Sequence, residues 1–374
     1  MKRFATYSGA VLTAAGFAAA AQASDPIQLK LGGYMEYWAA GASQGDHYAD
    51  PVNSFDIQGD SQIYFLGKTV LDNGVEVGAR VQASAGSDYN AQFIQRSYAW
   101  VSGAYGKAIF GKYRDVVWLT HNFAPEASHL DSGLGGSDFY QILPTGDGVS
   151  SLDPNEKPTN YANKFLYLTP KVYGFQIGAS FTPSNNRSGD DADAVSETIL
   201  KDAKWDQAWA AALSYGGTVG GIGVNASVGY DYINGNRDTG TPGDVHNLQT
   251  SAALSYQGFS VGGGFNRMIA PSDSFYASKD GRAWEAGIGY AEGPYMVSFA
   301  YVNSTTRGNL ASYPISAHAH DEVDFYRMGA RYALGAGVDL WGALAYLDSE
   351  SHTGRKADGN EGAIGGAIGL RLDF

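Results

Sequence analysis

Segments in which apolar and polar residues alternate recur along almost the whole chain, and no other feature constrains the fold as strongly. In Val75–Ala83 the odd positions are apolar and the even positions are polar or glycine, and Phe175–Phe181 and Tyr326–Tyr332 repeat this scheme. Successive side chains of a β-strand point to opposite faces, so each segment forms a strand with one apolar and one polar face. The chain is therefore predicted to be all-β.

The length of these segments predicts that they cross a membrane. Most of the sixteen predicted strands hold about 9 to 13 residues, close to the roughly 9–11 that a tilted membrane strand needs and longer than the globular average of about 5–6. In lipid, only a closed barrel pairs every backbone group of a sheet. We predict a 16-stranded antiparallel transmembrane β-barrel with strands near residues 27–41, 55–71, 75–86, 92–103, 107–115, 160–170, 174–182, 206–216, 222–233, 247–256, 258–268, 282–291, 295–303, 324–334, 336–347 and 362–374.

The connections between the predicted strands alternate in length. Short turns such as Asp72–Gly74 and Glu292–Pro294 alternate with long polar links such as 116–159 and 304–323, and 87–91 is the one short link among the long ones. Outer-membrane barrels have short turns on the periplasmic side and long loops outside. A soluble β-sandwich also has alternating strands, but it has no reason to sort its connections by length.

Composition excludes several other classes of protein. The 374 residues include no cysteine, so disulfides do not stabilise the fold, and 50 Gly and 25 Tyr with 17% charged residues do not suit a disordered chain. The formal net charge of −13 argues against a nucleic-acid partner, which needs clustered Lys and Arg. Beyond the N-terminus there is no run of about 18 apolar residues, so no spanning helix is predicted.

The N-terminus is typical of a secretory signal peptide. Lys2 and Arg3 precede the small and apolar residues 9–21, and Ala21-Gln22-Ala23 is a small-x-small cleavage site. The apolar run of about 13 residues is too short for a membrane helix, which needs about 20. We predict a signal peptide at 1–23 and one barrel domain at 24–374, exported through the periplasm to the outer membrane.

The lumen of the predicted barrel is wide. A barrel of about 16 strands cannot be filled by its own side chains, so its interior holds water unless part of the chain folds into it. The third long link, about 116–159, is far longer than a hairpin requires, and it is too apolar for a free tail because it contains Trp118, Phe123 and Leu130. We predict that this third loop bends into the lumen and narrows it.

Charged residues are predicted on both sides of the narrowed lumen. Glu126, Asp131 and Asp138 of the third loop form the predicted acidic side. Strand parity, and the cost of about 2–4 kcal/mol for a charge on the lipid face, predict basic residues on the facing wall, namely Arg80, Arg96, Lys112, Arg114, Arg327, Arg331 and Arg371. A simpler alternative is that these groups only solvate the wall or pair with Glu36 and Glu76. Opposed charges would give a transverse field that selects polar solutes, and the net acidity predicts a weak cation preference.

Several stretches resemble the Gram-negative general porin family. They are the first strand, Ile27–Tyr37, the segments Gln95–Val101 and Gly103–Tyr113 before the third loop, and the ending Leu370–Phe374. The resemblance covers essentially the whole chain after the signal peptide. It implies a non-enzymatic channel of the outer membrane, a homotrimer through which small hydrophilic solutes and ions diffuse passively, with the third loop folded inside each charge-lined pore.

The resemblance also implies roles for individual residues. Carboxylates of the third loop match the acidic side of the family's pore, and the residues that match its basic wall are Arg80, Arg96, Lys112 and Arg114. The terminal Phe374, with Leu372 and Leu370 at alternate positions before it, is similar to the signal that the barrel-assembly machinery reads. The implied partners are that machinery, outer-membrane lipid, two further copies of the chain and small polar solutes.

The chain departs from the family pattern in three places. The family's stretch in the third loop is only echoed here, by Pro125–Ala127 and by Gly135-Gly136. Tyr34 and Glu36 stand where many relatives have a basic residue. The second outer loop is very short, so contacts between subunits are expected to involve strand faces.

No pattern for catalysis or for a resident metal is present in the sequence, and no cofactor is predicted. The chain lacks the H-E-x-x-H motif of the common zinc hydrolases. The spelling G-x-S-x-G occurs at Gly41–Gly45 and Gly258–Gly262, but both lie at ends of predicted strands with no helix after them, so neither is the strand-to-helix turn that carries a nucleophilic serine. Asp190, Asp191 and Asp193 and the acids of the third loop could bind Ca²⁺ weakly, although a solvated acidic loop is simpler. Two alternatives to non-specific diffusion stay open: a channel selective for sugars or anions, and a structural or adhesive barrel.

Overall fold

The structure, a computed structural model of the chain, describes most of the predicted barrel. The described residues are 26–43, 54–85, 94–130, 134, 142–143, 149–183, 205–235, 243–272, 274, 276–308, 320–351 and 362–374. The predicted signal peptide, residues 1–23, lies outside them, as do Asp131 and Asp138 of the predicted acidic side and the acidic run 190–193. These predictions stay predictions.

The described residues form a closed barrel of sixteen antiparallel strands, which confirms the predicted fold class. Each strand pairs with its neighbour in sequence, and the first strand pairs with the last to close the cylinder. The strands are β1 (Gln28–Ser43), β2 (Phe55–Val70), β3 (Glu76–Ser84), β4 (Ile94–Gly103), β5 (Gly106–Lys112), β6 (Asn163–Leu168), β7 (Phe175–Thr182), β8 (Trp205–Val219), β9 (Ile222–Gly235), β10 (Val245–Tyr256), β11 (Phe259–Ile269), β12 (Gly281–Glu292), β13 (Tyr295–Thr306), β14 (Asp321–Gly335), β15 (Val338–Glu350) and β16 (Ala363–Asp373).

The predicted strands that flank the third loop are shorter in the structure. The strand predicted at 107–115 ends at Lys112, because Asp115 caps a short helix, α1 (Val116–Thr120), by accepting a hydrogen bond from Trp118 N. The strand predicted at 160–170 begins only at Asn163. Loop three therefore spans residues 113–162 in the structure. Among the described residues, no helix is long and apolar enough to cross a membrane.

The two faces of the barrel wall differ as the alternation predicted. In β1, Leu29 and Leu31 are 70% and 65% exposed on the outer face, whereas the inward Glu36 and Trp38 are 2% and 3% exposed. Outward apolar side chains on a closed barrel match a lipid surrounding, because lipid tails do not penalise apolar area.

Aromatic pairs lie near both ends of β13 and β14. Tyr295 opposes Tyr332 at the short-turn end, and Tyr301 opposes Tyr326 toward the other end, with ring centroids 4.9 and 4.6 Å apart. Tyrosines at two levels, separated by apolar residues, are the arrangement of interfacial girdles.

The C-terminus completes the seam between β1 and β16. Gly33 N donates to Phe374 O at 2.9 Å, and Phe374 N donates to Gly33 O at 3.1 Å. The side chains of Phe374, Leu372 and Leu370 are 60%, 40% and 42% exposed on the outer face. The end of the chain therefore has the alternating outward apolar residues that its sequence predicted.

Loop three packs against the inner wall, as the excess of apolar residues in it predicted. Leu130, Leu134, Ile142 and Leu143 are buried in one cluster with Trp341 of β15. Farther along the loop, Leu152 joins a second cluster on β8–β12. At its start, Val116 and Val117 pack into a third cluster on β4–β8. The described parts of the loop therefore run through the lumen.

Candidate functional site

Loop three follows a track of glycines on the lumen wall. A Cβ atom added to these glycines would lie within about 3 Å of loop atoms, so only glycine lets the loop approach this closely. In loop order, the contacts are Val116 on Gly178, Val117 on Gly229, His121 on Gly264, Ala124 on Gly287, Glu126 on Gly329 and Leu143 on Gly365. The glycines of β7, β9, β11, β12, β14 and β16 thus trace the path of the loop around the wall.

Polar side chains of the wall satisfy the irregular backbone of the loop. Buried N–H groups outside regular structure need such partners. Ala124 N donates to Glu285 Oε1 at 3.1 Å, Ala127 N to Ser298 Oγ at 2.8 Å, and Leu152 N to Ser304 Oγ at 2.8 Å. In the return arm, Asn266 Nδ2 and Gln249 Nε2 donate at 2.8 and 2.7 Å to the carbonyl oxygens of Asp153 and Glu156.

Glu126, one of the predicted acidic residues, lies in a buried ion network on this track. Arg327 of β14 is 1% exposed, and its Nε lies 3.0 Å from Glu126 Oε2. Arg327 Nη2 also lies 3.2 Å from Glu285 Oε2. Glu126 further accepts a hydrogen bond from Ser128 N at 2.9 Å. These contacts hold Glu126 against the wall, and its role as a pore-facing carboxylate stays a prediction.

A cavity of about 370 Å³ remains between loop three and strands β1–β4 and β16, and we call it the constriction cavity. The side chains that line it are Tyr34, Glu36, Asp60, Gln62, Tyr64, Arg80, Gln82, Arg96, Arg114, Trp118, Phe123, His129, Lys157, Tyr161 and Arg371. Four residues match the basic wall of the family that the sequence resembles, and three of them, Arg80, Arg96 and Arg114, line this cavity. The fourth, Lys112, is 7% exposed and donates to Ile94 O at 3.0 Å, so it lies behind the cavity surface.

Arg96 and Arg114 meet at Tyr161, in the return arm of loop three. The Arg114 guanidinium carbon lies 3.9 Å from the centre of the Tyr161 ring, and Arg114 Nη1 donates to Asn160 Oδ1 at 2.6 Å. Arg96 Nη2 donates to the Tyr161 hydroxyl at 2.9 Å. Although burial acts in the opposite direction, the charges of Arg114 and Arg96 lower the pKa of Tyr161. The two guanidinium groups therefore interact favourably with the oxygen of the Tyr161 phenol.

Arg80 completes this group on the neighbouring strand. Its guanidinium carbon lies 4.1 Å from the centre of the Tyr64 ring, and its Nη2 donates to Gln82 Oε1 at 3.0 Å. Among the described residues, Arg80, Arg96 and Arg114 form no ion pair with a carboxylate. Arg80 lies on β3, Arg96 on the adjacent β4, and Arg114 just after β5 at the start of loop three, so three cations without a carboxylate partner among the described residues line the same cavity.

Arg371 has the opposite environment, since carboxylates surround it. Arg371 Nη1 lies 3.2 Å from Glu36 Oε2 and its Nη2 lies 3.0 Å from Asp373 Oδ1, while the guanidinium stacks on the Tyr34 ring at 3.8 Å. Glu36 and Arg371 are directly opposite in the register of β1 and β16. The alternative interpretation, that lumen arginines pair with wall carboxylates, describes Arg371, and also Arg327 and Arg331, which pair with Glu285 and Asp339. It does not describe Arg80, Arg96 and Arg114.

Sequence reasoning did not assign Asp60, Tyr64, Lys157 and Tyr161 to the site. For Asp60 and Tyr64 a signal was present, because the even positions of β2 are mostly polar and face inward. Lys157 and Tyr161 follow no periodic pattern, and only the path of the loop brings them to the cavity.

Two titratable groups of loop three are perturbed by their surroundings. Burial lowers the pKa of His121 to about 4. Burial, and then the neighbouring Glu156, raises the pKa of Asp153 to about 6. Both groups are enclosed between the loop and the wall, where burial disfavours the charged form of each side chain.

Comparison with known proteins gives a consistent result. A family model described as Gram-negative porin matches residues 8–352. A porin of Rhodobacter capsulatus is 24% identical over 301 residues, which cover 77% of this chain and 87% of that protein. The solved anion-selective porin from Comamonas acidovorans matches with a TM-score of 0.61 at 14% identity, covering 93% of this chain and 100% of that one. OmpT of Vibrio cholerae, in its trimer form, has a TM-score of 0.59 at 14% identity, with 94% and 100% covered. At such identities the two solved structures establish a shared fold.

Proposed function

Because the chain belongs to the Gram-negative porin family, it is an outer-membrane channel for passive diffusion, and we propose that its constriction favours small anions over cations. The observation that carries the proposal is the group of Arg80, Arg96 and Arg114, which have no carboxylate partner among the described residues. A transmembrane channel needs no catalytic group, and the constriction cavity takes the place of an active site.

The charges that line the cavity support this direction of selectivity. Among the described residues, five cationic side chains line it, those of Arg80, Arg96, Arg114, Lys157 and Arg371, against the two carboxylates of Glu36 and Asp60. The net charge of −13 for the whole chain points the other way. Charges on distant loops are screened beyond about 8–10 Å in ordinary salt, whereas the lining groups act on an ion inside the cavity. The local charge therefore decides the preference.

The test is the reversal potential of single channels in a KCl gradient. We expect chloride to be more permeant than potassium, and Arg96→Gln to reduce the permeability ratio. Arg282→Gln is the matched control, because Arg282 is an exposed arginine outside the cavity and its loss removes the same net charge. A cation-selective parent channel, or equal effects of the two variants, contradicts the proposal.

The assembly that we propose is a homotrimer. Ala79 of β3 and Ala99 of β4 oppose each other on the outer face, and small residues allow close approach of membrane segments. The trimer form of the solved OmpT barrel is consistent with this assembly. Ala99→Trp should convert a heat-labile oligomer in detergent gels into monomer, whereas Ile288→Trp, on the outer face of β12, should leave it intact.

Biogenesis forms the last part of the proposal. Residues 1–23 direct export through the periplasm, and the outward Phe374, Leu372 and Leu370 are read by the barrel-assembly machinery. N-terminal sequencing of the outer-membrane protein should begin at Ser24 or Asp25. Phe374→Ser should lower the amount of assembled barrel without changing its conductance.

A further inference from the structure

We propose that the constriction cavity is a saturable binding site for small aromatic carboxylates. The proposal rests on the anion preference proposed above and names the class of anion. It combines two features of the cavity that diffusion of small polar solutes leaves unexplained. They are guanidinium groups with no carboxylate partner among the described residues, and an exposed aromatic ring in the same cavity.

The first feature is a set of guanidinium groups that face the cavity without a carboxylate partner. Arg80, Arg96 and Arg114 line the cavity, and none of them forms an ion pair with a described carboxylate. Their hydrogen bonds to Gln82, Tyr161 and Asn160 each use one terminal nitrogen. The planar fork of a guanidinium matches the two oxygens of a carboxylate and binds them through parallel hydrogen bonds.

The second feature is Phe123, whose ring is 40% exposed although it lies on the inner side of the barrel. Trp118 and His121 fix the ring from the protein side, with centroids 6.4 and 5.1 Å away in edge-to-face contact. The free part of the ring therefore faces the water of the cavity with a fixed orientation. Contact with a second aromatic ring would remove this apolar area from water and add favourable ring geometry.

The size of the cavity suits such a ligand. At about 370 Å³ the constriction cavity lies at the small end of the range for small-molecule sites, which is about 300–1,000 Å³. The guanidinium carbons of Arg96 and Arg114 lie 6.0 and 5.1 Å from the ring centre of Trp118, and the ring centre of Phe123 lies 6.4 Å from it. A carboxylate on the arginines therefore places an attached ring near Phe123.

The experiment measures block of the single-channel KCl current by three probes. Benzoate carries both the charge and the ring, acetate carries only the charge, and benzylammonium carries the ring with the opposite charge. We expect saturable block by benzoate with a half-blocking concentration about tenfold below that of acetate, because ring contacts supply that factor. Benzylammonium should not block in the same concentration range.

Two variants and a control separate the features. Phe123→Ala should raise the half-blocking concentration of benzoate to that of acetate and leave acetate unchanged, and Phe123→Leu gives the same answer while retaining apolar volume. Arg96→Gln should weaken block by both anions, whereas Arg282→Gln should alter neither. Equal block by benzoate and acetate, block by benzylammonium at the benzoate concentration, or a benzoate block that survives both Phe123 variants overturns the inference. The reversal potential in KCl alone, measured on the same channels, reports separately whether the anion preference itself fails.

Discussion

Gly329 of β14 allows the anchor of loop three to form, and alanine at this position should release it. An added Cβ would lie 2.7 Å from Ser128 N and would overlap a carboxylate oxygen of Glu126. The carboxylate would have to leave Arg327, and removal of one partner from a buried ion pair costs about 3–5 kcal/mol. Glu285 stays on Arg327 at 3.2 Å, so we expect the lower end, about 3 kcal/mol, as the loss in docking free energy of the loop.

Hydrogen exchange measures this loss directly. The amide of Ala127 donates to Ser298 Oγ at 2.8 Å only while the loop is docked. A loss of about 3 kcal/mol should speed its exchange through local opening by about a hundredfold. Gly335→Ala is the matched control, because Gly335 lies in the same strand and an added Cβ there meets nothing within 4 Å. Equal exchange at Ala127 in the two variants would refute the argument.

Three further perturbations test how the loop is held. Burial lowers the pKa of His121 to about 4, below the ordinary histidine value of about 6.5, so between these pH values the folded state binds fewer protons than the unfolded state. About 3 kcal/mol of stability, fully present above about pH 6.5, should therefore be lost as the pH falls through about 4. His121→Gln should flatten this part of a denaturation profile against pH. Asp115→Ala removes the N-cap of α1 and the acceptor for Thr159 Oγ1 at 2.8 Å, and it should lower the free energy of unfolding in urea by about 1–2 kcal/mol. Asp115→Asn should recover most of this loss, and an equal loss in both variants would contradict the capping role of Asp115. Leu143→Ala leaves a cavity in the cluster with Trp341 and should lower the free energy of unfolding by about 2–5 kcal/mol. Leu344, which is exposed on the outer face, is the control, and a larger loss for Leu344→Ala than for Leu143→Ala would contradict the packing of the loop.

The sequence by itself determined the fold class, the strand count and the face on which each strand residue lies. Alternation is a local property, since a residue two positions along a strand must return to the same face, and lipid penalises any error in this parity. For this reason Arg80 and Arg371 could be placed inside the lumen from sequence. The apolar excess of the third loop also predicted its position, because such a segment must bury its side chains somewhere.

Only the tertiary structure decided which inward residues meet. Glu36 and Arg371 are 335 positions apart in sequence, and their contact depends on the register at which β1 and β16 close. From the sequence, Glu126 is one of several equivalent acidic residues of the third loop. In the structure it pairs with Arg327, and Gly329 beside it leaves room for the carboxylate. Strand parity predicts that a glycine faces the lumen, but it does not predict which atom of the loop contacts that glycine. The path of loop three across those glycines decides which arginines have a carboxylate partner among the described residues. Contacts between such distant residues leave no local pattern in the sequence.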